Sequence, residues 1–193
     1  MPISENDLAL ETRPALPEAL RVLLKEYPRE AWEADPNFSG LIRFWLDRHM
    51  MFRRLVATMK SEAEHALDRS MEHRVFGAHL SRYGSMFIGE LHGHHSIEDA
   101  HYFPVMKTLD RRIEKGFDIL DLDHHAIDGH LAEFAEAANG ALRLIAGGDP
   151  ATDAIAAFHA ELLSVEGFLD RHLVDEEELV VPVLLKYAPA GLV

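Results

Sequence analysis

The chain has 193 residues, 48% of them hydrophobic, which is enough for one domain with a sizeable buried core. Its 19 basic and 33 acidic residues give a net charge of -14, which disfavours nucleic acid and anionic membranes as partners because both are negatively charged. It contains no cysteine, so disulfides, thiolate metal sites, iron–sulfur ligation and cysteine nucleophiles are excluded.

The first residues of the chain and its hydropathy predict a cytoplasmic protein. The first residues lack a basic region followed by an apolar stretch, and no run of about 18 apolar residues occurs. The count of 13 histidines is high for this length. Histidine is the commonest metal ligand, so this surplus indicates a metal site.

Residues 1–36 are predicted to form an N-terminal arm. Prolines interrupt helical continuity there repeatedly, which leaves room for one short helix over residues 17–27. The prolines concerned are Pro2, Pro14, Pro17, Pro28 and Pro36. A main domain is predicted over residues 37–188, followed by a tail at 189–193.

Four stretches of the main domain carry apolar residues three and four positions apart, the pattern of amphipathic helices. The first helix begins after Asn37, and the second is predicted to end or bend near Pro104, where an amide is lost. The third ends at Gly147-Gly148, and Asp149-Pro150 signals the start of the fourth. The segment 61–74 fits either neighbouring helix or a turn.

The four stretches predict the fold class. Period-2 alternation, the sign of strands, is convincing nowhere in the chain. Four amphipathic helices with short connections fold most economically as an all-α, antiparallel up-down four-helix bundle.

One phrase occurs twice: His94-x-x-x-Glu98-Asp99-x-x-x-x-Pro104 and His172-x-x-x-Glu176-Glu177-x-x-x-x-Pro182. The composition of the chain would supply about 0.02 copies by chance. Residues four apart on a helix share a face, so each histidine lies beside a glutamate. Two equivalent helices that grip one metal centre would carry this repeat.

Each helical stripe contains one histidine where leucine or phenylalanine would be expected. Burying the two glutamates of the repeat is costly unless a positive charge pairs with them, and no lysine or arginine occupies these stripes. A cation from solution is the simplest compensation, and mixed imidazole and carboxylate ligands suit iron, manganese or zinc. The predicted metal ligands are His49, His94, Glu98, His124, His172 and Glu176.

These residues, in this order and spacing, resemble the hemerythrin family, also called the HHE cation-binding domain. The resemblance extends from about residue 38 to 187. It implies a hemerythrin-like four-helix bundle that holds two non-haem iron ions, oxo- or hydroxo-bridged and joined by both carboxylates, with zinc or manganese as substitutes. It also implies a protein that binds, senses or reacts with a small oxidant (dioxygen, peroxide or nitric oxide) or handles iron.

One departure from the family pattern concerns the third helix. Oxygen-carrying members place a second histidine four residues after the first, where this chain has Asp128. This puts simple reversible oxygen carriage in doubt and leaves a sensor, a redox enzyme or an iron-handling protein. Asp128, His95 and Tyr83 are the candidates for completing the coordination.

Two alternative functions stay open. A ferritin-like diiron carboxylate oxidase would use Glu-x-x-His pairs, and Glu62 with His65 and Glu98 with His101 have this spacing. A structural metal-binding helical module would use its acidic surface or its arm to bind a partner. His95, His125 and Asp99 are interpreted as flanking groups, and the acidic run 175–178, apart from Glu176, as a solvated face. The redox partner and the oligomeric state stay open.

Overall fold

The computed structural model describes residues 8–189, and within them the regular structure is helical, with no strand. The arm contains a 3-10 turn (Glu18–Leu20), helix α1 (Val22–Glu26) and a second 3-10 segment (Arg29–Ala34). Then follow α2 (Gly40–Leu67), α3 (His73–Ile97), a π-helical turn (Glu98–Tyr102), α4 (Phe103–Leu109), α5 (Glu114–Gly147) and α6 (Thr152–Tyr187). Of the predicted tail, residues 190–193 lie outside the described residues.

Tight turns end the long helices where the sequence was ambiguous or rich in glycine. After α2, Arg69 adopts a left-handed backbone with φ 61°, and the Ser70 amide donates to the His65 carbonyl at 2.9 Å. After α5, Gly148 takes the same role with φ 75°, a conformation that glycine adopts without steric penalty. The segment 61–74 therefore divides between α2, a turn and α3.

The sequence predicted that the second long helix ends or bends near Pro104, and in the structure the helix continues beyond that residue. Its α-helical part stops at Ile97, a π turn follows, and α4 continues the chain to Leu109. Pro104 lies in the first turn of α4, directly after the π turn, in which the Phe103 amide donates to the Glu98 carbonyl. The π turn begins at Glu98, one of the predicted ligands, and such turns are frequent at functional sites.

The chain divides into two compact units. The first comprises Met1–Met50, His95–Ala126 and Asp170–Val193, and the second comprises Met51–His94 and Ile127–Leu169. In the first unit the arm belongs to the core: Leu16, Leu20, Leu23 and Trp32 are buried in one cluster with residues of α2, α4, α5 and α6. Burial of this apolar surface holds the arm in place.

The second unit has an aromatic core. The Phe87 ring lies 6.5 Å from that of Phe52 and 5.7 Å from that of Phe134, measured between centroids. Phe158 continues the series, 5.4 Å from Phe134 and 6.2 Å from Phe76. Tilted and edge-on contacts of this kind add stability beyond the area that they bury.

Candidate metal centre

Three buried imidazoles from three helices meet in the first unit. His95 of α3 stacks on His124 of α5, with 3.9 Å between ring centroids and 8° between planes, and His172 of α6 lies edge-on to both at 5.3 and 5.0 Å. One ring nitrogen from each lies within 4.8 Å of the others, close enough to hold one metal ion.

A second group of ligand atoms combines imidazoles with carboxylates. His49, His94, Glu98 and Glu176 each offer one atom within 4.8 Å of the others. His49, Glu98 and Glu176 are buried, and His94 is half-buried. The structure thus distributes the six predicted ligands over two groups and adds His95, which the sequence placed beside the site.

The phase of α3 explains why His95 was interpreted as a flanking group. Its buried face passes through Leu91 and Glu98, which are 0% and 1% exposed. His94 precedes Glu98 by four positions and His95 by three, so the two histidines flank the glutamate on opposite sides. The repeated phrase contains only the four-residue spacing from His94 to Glu98, so it does not point to His95. The three-residue spacing from His95 to Glu98 is the sequence signal that could have identified it.

The two carboxylates reach both groups of imidazoles. Glu176 Oε1 lies 3.4 Å from His49 Nε2, while Glu176 Oε2 lies 3.4 Å from His172 Nε2. Glu98 belongs to the group of His49, and its Oε2 lies 3.5 Å from His124 Nε2. Glu176 also accepts a hydrogen bond from Trp45 Nε1, which fixes its orientation.

These distances suit a shared cation better than direct hydrogen bonds. Nε2 of His124 and Nε2 of His172 are buried and make no hydrogen bond within the described part of the chain. Two ligand atoms bonded at about 2.1 Å to one ion are separated by about 3.0 Å at octahedral and about 3.4 Å at tetrahedral angles. The two observed separations of 3.4 Å match the tetrahedral value, and the third, 3.5 Å, slightly exceeds it.

The electrostatics of the site favour positive charge. Burial raises the pKa of Glu98 well above its usual range, and the nearby charge of Glu176 raises it further. Burial opposes protonation of His172, but the nearby carboxylates of Asp123 and Glu176 outweigh it and raise the pKa of this histidine to about 9. A proton or a metal ion can supply the missing charge, and the donor set fits a metal ion.

The outward nitrogens of three histidines face carboxylates. Nδ1 of His124 lies 2.8 Å from Asp99, Nδ1 of His172 lies 3.2 Å from Asp123, and Nδ1 of His49 lies 3.0 Å from Glu177. An ionised carboxylate can only accept, so each Nδ1 carries a hydrogen, and when the imidazoles are neutral each Nε2 presents its lone pair to the centre. These contacts prepare all three rings for metal ligation.

The acidic run 175–178 is not the solvated face that the sequence suggested. Asp175, Glu176 and Glu177 are 0%, 0% and 3% exposed. The reason is that the arm lies over them: Arg13 donates to Asp175 at 2.9 Å and Arg29 to Glu177 at 2.7 Å. The spacing within α6 contains no signal for this cover, because the arginines come from the other end of the chain.

Several candidate residues are not brought to the centre. Asp128 is exposed and lies 3.4 Å from His92, and Tyr83 contacts the ring of His79. Neither belongs to a group that could hold a metal ion among the described residues.

The pairs proposed for a ferritin-like site are not assembled either. His65 and His101 are exposed. Glu62 accepts a hydrogen bond from His79 at 2.9 Å. A third group of potential ligand atoms, in the second unit, is more open to solvent and consists of His130, Glu133 and Glu161.

The sequence profile of the hemerythrin HHE cation-binding domain matches residues 40–184, about three quarters of the chain. The chain belongs to the hemerythrin family. The predicted fold class, an all-α four-helix bundle of the hemerythrin type, is thereby confirmed. Searches of curated proteins and of solved structures found no significant match. Membership of the family identifies the chain as a cation-binding protein, and the arm before residue 40 lies outside the matched region.

None of the described helices combines the length and the apolar character that a membrane span requires.

Proposed function

We propose that this hemerythrin-family chain holds two iron ions and that the centre binds a small oxidant such as dioxygen, peroxide or nitric oxide. The observation that carries the proposal is the position of Glu176, whose two carboxylate oxygens each lie 3.4 Å from a histidine of a different group. The proposed ligands are the six predicted from the sequence together with the one found in the structure, namely His49, His94, His95, Glu98, His124, His172 and Glu176.

Burial supports a ligand of only a few atoms. His49, His172 and Glu176 are each 0% exposed, and His94 is half-buried. A substrate of ordinary metabolite size would have to displace packed helices to reach these atoms. Five imidazoles and two carboxylates also offer fewer donor atoms than two six-coordinate ions require, so a position is available for a small ligand.

When bound, the iron ions supply electrons by changing between ferrous and ferric states and offer a coordination position to the oxidant. The protein side chains orient the site and neutralise its charge. Trp45 holds Glu176 in place, and the carboxylates that accept from Nδ1 of His49, His124 and His172 hold those rings. The Phe103 ring stacks 5.5 Å from that of His124, measured between centroids. A dry surrounding strengthens these electrostatic interactions.

His95 bears on the question of oxygen carriage. It supplies a fifth imidazole although Asp128 occupies the place of the second histidine on the third helix, so carriage stays a candidate beside sensing, redox catalysis and iron handling. Repeated exposure to oxidant separates these activities. A carrier returns to its starting spectrum when the oxidant is removed, whereas a redox enzyme consumes reductant at every cycle.

The test is metal analysis and absorption spectroscopy of the full chain loaded with ferrous iron and then exposed to air. We expect two iron ions per chain and new near-ultraviolet charge-transfer bands. Glu176→Gln keeps an acceptor for Trp45 but removes the charge. It should weaken iron binding by more than the roughly 10–100-fold that substitutions outside the ligand set produce.

The matched control is Glu166→Gln, the same substitution on the same helix. Glu166 is partly exposed and bonds Lys60 at 2.6 and 2.7 Å, so its replacement should leave iron content and spectrum unchanged. Tight uptake of metal with no spectral response to any of the three oxidants would contradict the proposal and favour a structural metal-binding module.

A further inference from the structure

Arginines of the N-terminal arm cover the outer side of the metal centre. Arg13, Arg21 and Arg29 all precede residue 40, where the family match begins. Their carboxylate partners on α6 are consecutive members of the acidic run except for Glu176, which faces the centre. The pairs are Arg13 with Asp175, Arg29 with Glu177, and Arg21 with Glu178.

Arg13 is the most deeply placed of the three, with a side chain 1% exposed. It donates to Asp123 of α5 through both terminal nitrogens and to Asp175 of α6 through Nε at 2.9 Å. Asp123 in turn accepts from His172 Nδ1 at 3.2 Å. An uninterrupted chain of hydrogen bonds thus leads from the arm to a proposed metal ligand.

Arg29 makes a second connection of the same kind. Its Nη1 donates to Glu177 Oε2 at 2.7 Å, and the other oxygen of that carboxylate lies 3.0 Å from His49 Nδ1. The Arg29 guanidinium also lies 4.7 Å from the centre of the Trp32 ring, which is buried in the core of the first unit. The arm therefore reaches a proposed ligand of each group.

Three outer carboxylates, those of Asp99, Asp123 and Glu177, accept from Nδ1 of a proposed ligand histidine, and they differ in exposure to solvent. The side chain of Asp99, which accepts from His124, is 34% exposed and solvated by water. The side chains of Asp123 and Glu177 are 3% and 4% exposed, so water cannot stabilise their charge. An arginine from the arm stabilises each of these two, because a buried carboxylate without a positive partner would be protonated or would turn away.

The orientation of each ligand histidine depends on the outer carboxylate that accepts from its Nδ1. An ionised acceptor at Nδ1 keeps the hydrogen there, leaves the lone pair on Nε2 and makes that nitrogen a better metal donor. If the carboxylate lost its charge or moved, the ring would be free to rotate or to change tautomer. Arg13 and Arg29 are thus connected to metal affinity without touching the metal.

We propose that the arm is a working part of the metal centre, with Arg13 and Arg29 as positioning residues that hold His172 and His49 in their ligating orientation through Asp123 and Glu177. The inference rests on the proposed function in that it takes both histidines as ligands. It adds a role for the part of the chain that the family match does not cover.

The experiment compares Arg13→Met and Arg29→Met with Arg21→Met in the full chain. Arg21 lies on the same arm and forms an ion pair with Glu178 at 2.9 Å, but its side chain is 34% exposed. Within the described part of the chain Glu178 forms no ion pair with a ligand histidine, so Arg21→Met is the matched control. Cobalt(II) is the probe, because its visible bands report coordination geometry as well as affinity.

We expect Arg13→Met and Arg29→Met to weaken cobalt binding about 10–100-fold and to change the cobalt bands, as substitutions outside the ligand set do at metal sites. Arg21→Met should change neither property. Arg13→Lys should recover part of the affinity, because its ammonium restores the charge but not the paired donors.

Two results overturn the inference. If Arg13→Met and Arg29→Met bind cobalt with the same affinity and the same visible bands as Arg21→Met, the arm only stabilises the fold. This holds even if the unfolding midpoint of the metal-free protein falls. Should Arg13→Met not fold, Arg29→Met decides by itself, because its side chain is 47% exposed and its loss is tolerated more easily. Failure of the unaltered chain to bind cobalt would instead count against the proposed function.

Discussion

The two units of the molecule are stabilised by different physical effects. Among the described residues, every buried polar or charged side chain belongs to the first unit, whereas the buried side chains of the second unit are apolar. The buried polar set consists of Arg13, His49, His95, Glu98, Asp110, Asp123, His124, His172, Asp175, Glu176 and Glu177.

This difference separates stability from function. The second unit gains its stability from removal of apolar surface from water. This contribution requires no compensating charge and does not depend on pH. The first unit contains every proposed ligand except His94, and arginines of the arm, protons or metal ions must compensate the charge buried there. Five predictions test whether the division is real, and the first four are given in order of decreasing expected effect.

The largest effect is expected from a cavity in the aromatic core of the second unit. Phe134→Ala removes a ring that is 0% exposed and should lower the free energy of unfolding by about 3–5 kcal/mol. Metal affinity should stay unchanged. Chemical denaturation and cobalt titration measure the two quantities, and Leu163→Ala, at a side chain 46% exposed, is the control. A parallel loss of cobalt affinity in Phe134→Ala would break the comparison.

Removal of metal should act on the other unit. Metal at about 100 times its dissociation constant adds about 2.7 kcal/mol to the stability of a protein that binds it only when folded. We expect chelation to reduce amide-exchange protection in peptides from 118–126 and 172–180, and to change it less in peptides from 130–140. An equal loss in all three segments would argue against separate stabilisation.

Glu98→Gln should have opposite effects on stability and on binding. Since the folded state raises the pKa of Glu98, its ionised form destabilises the metal-free fold wherever the unfolded carboxyl is ionised. At neutral pH the substitution should therefore stabilise the metal-free protein while weakening metal binding. Denaturation in chelator tests this, with Glu62→Gln as the control, and a loss of metal-free stability would contradict it.

The pH dependence of the metal-free protein gives the smallest effect. Protonated His172, with its pKa raised to about 9, stabilises the fold fully below about pH 6.5. That contribution is lost as pH rises through about 9, so the unfolding midpoint in chelator should fall over this interval. His172→Gln should flatten the profile, and a midpoint that rises towards pH 9 would refute the assignment.

Metal-loaded protein should behave in the opposite sense. Ligand histidines must be neutral to bind metal, so acidification through about pH 6 to 5 should release it and lower the unfolding midpoint. Midpoints measured with and without metal should therefore differ most at alkaline pH. Curves that stay parallel across the whole range would show that metal and protons do not compete for the same groups.

The long helices and most of the candidate ligands could be predicted from residue spacing. Apolar residues three and four apart predicted the long helices, because a helix that packs on a core must be apolar along one face. The repeated phrase at His94 and His172 led to the predicted ligands, since a metal held between helices requires donors one turn apart. The identity of the metal and the full ligand set stay predictions.

Residue spacing was less informative where distant segments meet. The continuation of the second helix through a π turn at Glu98 was missed, because proline at 104 was expected to end or bend it. The burial of Asp175 and Glu177 was missed because their partners, Arg13 and Arg29, lie about 150 or more residues away in the chain. Local patterns contain no information about such pairs.

The sequence alone determined the helices, their apolar faces and the histidines and glutamates that interrupt them, because each of these depends on neighbours within a turn or two. The tertiary structure decided which of those polar groups meet, which carboxylate supports which histidine, and that the arm neutralises the outer charges. These outcomes depend on distances across the fold. There, burial makes an unpaired charge costly, and one correctly placed arginine is sufficient to stabilise a buried carboxylate.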